Sequence, residues 1–366
     1  MMTMKRWTLT LAAALALSNP VAAQTNRTGD RLDGTAVIDR LDARDLKRGE
    51  VHRFWFRAGD TALGQAWYVP VVVVQGAKPG PRLLLTAGIH GDELSGIAVL
   101  HRLARAVDPA TLSGSLVMVP GLNTPGLNNS TRSFTPRGGT GGDNMNRVMP
   151  GKDTPGSSLA DIYAHNLWHR LMRPNADRMI DLHTQSRGTS YNLYAFVSSP
   201  EAREIAEAIA PDTIRLDPGQ RGTVENEMVP DGVPAITLEL GAPEVWDDAM
   251  ITRSHDGILR LMAKMAMLPA SAAPPATAKP FVANNQAQVR SPMGGWVTLH
   301  VRLNDMVTQD QPVATISDAF GRNRTTLTAP VAGQIVAIAT DPRNDVGDMV
   351  VRIGYNDPDP KCAAGC

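Results

Sequence analysis

Two histidines and two glutamates fall where a chain would place reactive groups. The stretch "LLLTAGIHGDELSGIAVL", residues 83–100, sets His90 and Glu93 three residues apart, between an apolar run and a helical pattern. "MIDLHTQ" later brings His183, and "PAITLELG" brings Glu239. Each lies where a predicted strand gives way to a loop. Two imidazoles and one carboxylate are a donor set that zinc takes in catalytic sites, with a fourth position kept for water. His90, Glu93 and His183 supply that set for one ion per chain. An attacking water also needs a carboxylate that is not a ligand to take its proton. Glu239, on its own strand end, is the candidate. Asp181, two residues before His183, is placed to orient that ligand, as ligating histidines require. The flanking glycines of "GIHGDE" are expected to leave room for substrate.

The other histidines lack such company. His165 and His169 have i, i+4 spacing without the glutamate of His-Glu-x-x-His, and read as a helix surface feature. His52, His101, His255 and His300 stand alone.

The elements that must position these residues follow from periodicity. "VHRFWFRAG", "AWYVPVVVVQG" and "PRLLLTAG" are apolar runs parted by Gly/Pro turns and read as strands. Residues 93–107 repeat apolar positions at helical spacing. "GSLVMVPGLN" is a buried strand, and a Gly/Asn/Arg-rich loop region follows it up to residue 152. Helices are predicted over 158–172, 200–210 and 249–267, with strands at "ADRMIDLHTQ", "YNLYAFV" and "PAITLELG". Strands alternating with helices imply a mainly parallel sheet covered on both faces. Ligands gather at the carboxyl ends of such strands.

"LPASAAPPATAKP", residues 268–280, reads as a linker. Beyond it, "SPMGGWVTLHVRLNDMV" and "APVAGQIVAIATDPRNDVGDMV" form a weak repeat, like the halves of a biotinyl/lipoyl-type β barrel. Residues 280–360 hold no lysine, so this module cannot carry that kind of cofactor. It reads as a structural or substrate-gating domain. The expected layout is a catalytic domain over 24–267, the linker 268–280, a β domain over 281–357 and a tail over 358–366.

The 366 residues are 43% hydrophobic and 20% charged, enough for a sizeable core. Thirty-six basic residues balance 36 acidic ones, which argues against a nucleic-acid footprint. At the N-terminus, Lys5 and Arg6 precede an apolar run from Trp7 to Leu17 and then Val21-Ala22-Ala23. That is the pattern of a signal peptide cut after Ala23, giving a periplasmic or secreted protein without a membrane anchor. The run is shorter than the roughly 20 residues that span a bilayer. The only cysteines, Cys362 and Cys366, either pair or lie on a frayed tail.

Taken in order, "GIHGDE", "DNMNRVMPG", "DLHT" and "ITLELG" resemble the succinylglutamate desuccinylase/aspartoacylase family, within the zinc carboxypeptidase-like group. The resemblance covers roughly residues 50–350. It implies an α/β/α sandwich around a mixed sheet, plus a small β-barrel-like C-terminal domain. It places zinc on His90, Glu93 and His183, with Glu239 as general base and then acid. It also implies that Asn146 and Arg147 grip a substrate carboxylate, a task suited to a guanidinium fork. The family arginine that polarises the scissile carbonyl aligns with Arg132, with Arg137 as a rival. "DNMNR" replaces the more usual Asp-Leu-Asn-Arg. The activity implied is an exported zinc amidohydrolase acting on a small acylated amino acid. The alternatives are a carboxypeptidase acting on peptides or cell-wall fragments, and a non-catalytic zinc- or ligand-binding protein. The oligomeric state is left open.

Overall fold

The computed structural model describes residues 24–61, 63–135, 143–277 and 279–366. Its main body is a twelve-strand unit, eleven strands of which form one sheet. The strands are β1 (Asn26–Leu32), β2 (Thr35–Arg40), β3 (Glu50–Asp60), β4 (Ala66–Gln75), β5 (Lys78–Ala87) and β6 (Ser113–Pro120). They continue as β7 (Arg178–His183), β8 (Thr189–Tyr191), β9 (Leu193–Val197), β10 (Thr213–Leu216), β11 (Ala235–Leu240) and β12 (Phe281–Ala283). The sheet runs β1-β2-β3-β4-β6-β5-β7-β11-β9-β10-β12. Its centre, β6-β5-β7-β11, is parallel, while β4 against β6 and β9 against β11 are antiparallel.

The helices are α1 (Ser95–Ala106), α2 (Thr124–Asn129), α3 (Leu159–Leu167), α4 (Pro200–Ile209), α5 (Val224–Met228) and α6 (Asp248–Lys264). They explain the unbroken apolar runs of the central strands. Leu84 packs in the layer with Tyr163 and Leu167 of α3 and Met228 of α5, while Leu83 and Leu85 pack with Leu103 of α1, Ile205 of α4 and Ile258 of α6. Successive side chains serve opposite faces, and both faces are covered, so the run has no polar alternation. The mixed sheet and the α/β/α layering match the expected fold class. None of the described helices is long and apolar enough to cross a membrane.

After residue 283 the chain forms β13 (Asn285–Arg290), β14 (Gly295–Leu299), β15 (Met306–Val307), β16 (Pro312–Ser317), β17 (Asn323–Thr328), β18 (Gly333–Ala339), β19 (Arg343–Asn344) and β20 (Met349–Tyr355). These make two antiparallel sheets, β13-β20-β18-β15 and β17-β16-β14-β19, around a core that includes Val313, Ile316, Ile335 and Ile353. They face each other as two sheets and do not close into a barrel. Two details depart from the expected layout. Phe281–Ala283 pairs with β10 in the large sheet. β8, from the catalytic unit, pairs with β18 and extends the first C-terminal sheet. Cys362 and Cys366 are joined in a disulfide, and Cys366 N donates to Asn284 O at 2.8 Å, so the tail is tied down.

Candidate functional site

The strand order brings the carboxyl ends of β5, β7 and β11 side by side. In register, Thr86 lies beside Asp181 and Asp181 beside Thr237, while His183 lies beside Glu239. Period-two alternation then turns Asp181, His183, Thr237 and Glu239 to one face. After Ala87 the chain turns through residues 88–94 into α1. Gly96 lets that helix sit against β7, since a Cβ there would lie 2.7 Å from Leu182 Cβ. Gly91 serves the same kind of purpose: a Cβ would lie 2.0 Å from the Gly126 carbonyl carbon. This corrects the expectation that the glycine leaves room for substrate, because the backbone of α2 fills that space.

His90, Glu93 and His183 converge, with potential ligand atoms all within 4.8 Å of one another and all three residues buried. His90 Nδ1 is 2.7 Å from Glu93 Oε1, and His183 Nδ1 is 2.8 Å from Glu93 Oε2. The outward nitrogens are held too. His90 Nε2 meets Asn144 Oδ1 at 3.0 Å, and His183 Nε2 meets Asp181 Oδ2 at 2.9 Å. Asp181 Oδ1 in turn accepts from Thr86 Oγ1 at 2.6 Å. Imidazoles anchored through one nitrogen present the other to a metal, the pattern of a ligating histidine. Three inward lone pairs demand a positive charge among them, which protons or a metal cation can supply.

The electrostatics agree. Burial alone would raise Glu93, but the two imidazoles hold its carboxyl well below the usual range. Burial would lower His183, yet Asp181 and Glu93 hold it well above the ordinary histidine value. The donor set therefore fits a divalent cation.

Glu239 is different. It is buried, its Oε2 has no hydrogen-bond partner among the described residues, and burial pushes its carboxyl up to about 8. A carboxyl poised near neutrality can accept and return a proton.

Arg132 lies at the mouth of the cluster. Its Nη1 donates to Glu93 Oε1 at 3.1 Å and to Ser186 Oγ at 2.5 Å, and its side chain is 43% exposed. Arg137 lies outside the described residues. Asn146 and Arg147 occupy a short 3₁₀ turn capped by Asn144, whose Oδ1 accepts from Asn146 N at 2.9 Å. Asn146 Oδ1 accepts from Val224 N at 3.0 Å, which leaves its NH₂ group to donate. Arg147 Nη1 donates to Asn146 O at 2.5 Å. Burial and the nearby Arg132 lower the Arg147 guanidinium, partly offset by Glu225.

His90, Glu93, His183, Glu239, Arg132, Asn146 and Arg147 line one cavity of about 450 Å³, a size that suits a small molecule. Sequence reasoning missed several of its neighbours. Asn144 stood in the quoted "DNMNR" but went unused. Gln286 and Arg352, from β13 and β20, also line the cavity. Arg352 was signalled by its place as the one charge inside the apolar "MVVRIGY". It sits 5.2 Å from the Tyr191 ring centroid, and its Nε and Gln286 Oε1 lack partners among the described residues. Asp217 and Glu225 had no such sequence signal.

Comparison with known proteins adds to this geometry. The family model described as "Succinylglutamate desuccinylase/Aspartoacylase catalytic domain" matches residues 79–265. An N-alpha-acetyl-L-2,4-diaminobutyric acid deacetylase from Halomonas elongata is 28% identical over 277 residues, covering 71% of this chain and 77% of that protein. A succinylglutamate desuccinylase from Pseudomonas paraeruginosa is 32% identical over 135 residues, 35% of this chain and 39% of its own length. Among solved structures, the product-bound ectoine utilization protein EutE (DoeB) from Ruegeria pomeroyi matches with a TM-score of 0.73 at 20% identity. That match covers 85% of this chain and 97% of the other.

Proposed function

The chain belongs to the succinylglutamate desuccinylase/aspartoacylase family, and on that footing we propose that it is an exported zinc-dependent amidohydrolase that removes the acyl group from an N-acyl amino acid. The observation that carries the reading is the buried His90–Glu93–His183 cluster with Glu239 beside it in register, its Oε2 without a partner among the described residues and its carboxyl poised near neutrality. The two curated relatives support it, since each is named for removing an acyl group from an amino acid.

Zinc held by His90, Glu93 and His183 would polarise the acyl carbonyl and lower the pKa of a water. The rest belongs to the protein's own side chains. Glu239 takes a proton from the attacking water as its oxygen bonds to the acyl carbon. Glu239 then returns that proton to the amide nitrogen as the C–N bond breaks, leaving a carboxylic acid and a free amine. Arg132, whose guanidinium already faces the cluster, stabilises the charge that develops on the carbonyl oxygen. The Asn146 NH₂ and Arg147 hold the substrate carboxylate. Asp181 and Asn144 fix the imidazoles.

A panel of N-acyl amino acids and dipeptides, offered to purified zinc-loaded protein, tests this reading. Hydrolysis of at least one N-acyl amino acid with a free α-carboxylate, faster than any dipeptide, is the expected result. Faster peptide cleavage would make it a carboxypeptidase, and binding without turnover would make it a binding protein. Export rests on residues 5–23, which lie outside the described part of the structure. Intact mass of the protein purified from its native compartment should place the mature N-terminus at Gln24.

A further inference from the structure

Arg132 is held less firmly than the groups it faces. Its Nη1 meets three atoms: Glu93 Oε1 at 3.1 Å, His90 Nδ1 at 3.3 Å and Ser186 Oγ at 2.5 Å. The first two belong to the proposed metal ligands. A cation taken up by the cluster draws on those lone pairs and repels the guanidinium. Of the three contacts, the Ser186 hydroxyl is then the one left to Arg132. The Arg132 side chain is half-exposed, so solvent offers it other directions. A donor that must meet a charge developing on a carbonyl oxygen acts best when its direction is fixed beforehand. A serine hydroxyl has one proton to donate and two lone pairs. Ser186 Oγ accepts from Arg132 and donates to Glu93 Oε1 at 3.3 Å, which sets its own rotor as well.

The backbone under Ser186 is pinned at both ends. Residue 186 lies three positions after His183, in the segment that leads from β7 to β8. Before it, Gln185 N donates to Gly241 O, just past β11, at 3.0 Å. After it, Thr189 Oγ1 donates to Gln185 Oε1 at 3.2 Å and to Ser186 O at 3.5 Å. Thr340 N donates to Gly188 O at 3.0 Å, and Thr189 pairs in register with Ala339 of β18. The near end of the segment thus carries a proposed metal ligand, while the C-terminal sheet holds its far end. A hydroxyl placed between two such anchors keeps a set position relative to the cluster, which the long Arg132 side chain cannot do alone.

We propose that Ser186 is a positioning residue, whose hydroxyl aims the Arg132 guanidinium at the substrate carbonyl oxygen once the cluster holds its cation. This rests on the deacylase reading above. The test uses the fastest of N-acetyl-2,4-diaminobutyrate, N-succinylglutamate and N-acetylaspartate. Ser186→Ala should lower kcat at least about tenfold, the scale of a hydrogen bond to a charged group, with KM and zinc content little changed. A residue that acts only through Arg132 has nothing left to do without it. Adding Ser186→Ala to Arg132→Ala should therefore cost no further rate. Near-normal kcat in Ser186→Ala, or a full additional loss in the double variant, would overturn the proposal. A second readout does not depend on turnover. In zinc-loaded protein, phenylglyoxal should label Arg132 faster in Ser186→Ala than in wild type, by peptide mass mapping, with the exposed Arg203 of α4 as internal reference. If wild type hydrolysed none of the three compounds, the deacylase reading would fail. Labelling would still decide the anchor: faster modification of Arg132 in the variant supports it, and an unchanged rate refutes it.

Discussion

The two sides of the cavity are built in opposite ways. At the ends of β5, β7 and β11, both nitrogens of each histidine are engaged, and the acid behind His183 is itself held by Thr86. The facing wall, from β8, β13 and β20, sets a guanidinium over an aromatic ring and leaves the Arg352 Nε and Gln286 Oε1 without partners. Satisfied networks fix geometry, because each group has one low-energy arrangement. Unsatisfied groups carry a cost that a ligand can relieve. The contrast suggests that chemistry is built into the first side and selectivity into the second.

The sharpest way to break that division is Glu239→Gln, since Glu239 is an acid on the satisfied side whose Oε2 has no partner among the described residues. Its amide keeps the shape but cannot take a proton. We expect kcat to fall about 10²–10⁴-fold with KM and zinc content little changed, by steady-state kinetics and metal analysis. Near-normal turnover would remove Glu239 from the mechanism. Stability gives an independent reading on metal-free protein. The folded carboxyl is raised from 4.5 to about 8, so its contribution is complete below pH 4.5 and is lost as the pH rises through 8. The Gln variant has no such titration, and its thermal midpoint should gain on wild type between pH 6 and pH 9.

Next in size is Asp181→Asn. It removes the charge behind His183 while keeping the atom count, and supporting residues of this kind typically contribute 10–100-fold in metal affinity. Competition with a chelator should show a loss of that order, with substrate selectivity unchanged. An affinity within twofold of wild type would mean that the network does not organise the cluster.

How far these features could be read from sequence follows the same contrast. The clustering of His90, Glu93 and His183 with Glu239 and Asp181 was legible because strand ends, helical spacing and donor chemistry are local. The layered sheet was legible because its central strands are apolar on both faces. Arg352 and Gln286 belong to the cavity only because β8 joins a sheet made mostly of residues after 284, and no local pattern encodes that pairing. Glu225 looks like an ordinary acid on a short helix until the fold buries it. The β1–β2 hairpin was missed because "NRTGDRL" is polar, and all seven of its residues are exposed or half-buried.

Arg352→Met probes the other wall. It removes a partly desolvated cation that has no ion-pair partner among the described residues, so stability should change by less than about 1 kcal/mol. The cavity loses a charged donor, and kcat/KM should shift by about tenfold for the best substrate, with one zinc still bound. A large drop in thermal midpoint would show that this wall is structural, and the division proposed above would not hold.

The smallest expected effect calibrates what a satisfied charge contributes far from the cavity. Asp42 accepts from Arg44 N at 3.0 Å and Arg44 Nε at 2.8 Å, and its side chain is 3% exposed against 59% for Arg44. Burial would raise the Asp42 carboxyl, but its bonds to Arg44 outweigh that and lower it from 3.8. A depressed carboxyl contributes stability that is present above pH 3.8 and lost as the pH falls through its folded value. Solvent around Arg44 screens the pair, so Asp42→Asn should cost no more than about 1 kcal/mol at neutral pH. The gap between wild type and variant should close below pH 3.8 in acid unfolding of metal-free protein. Asp181→Asn should cost more than this in the same assay, because its partners His183 and Thr86 have no water to replace it. If the two variants were equally mild, full burial would add nothing to the network behind His183, and the contrast between the two walls would reduce to hydrogen-bond count.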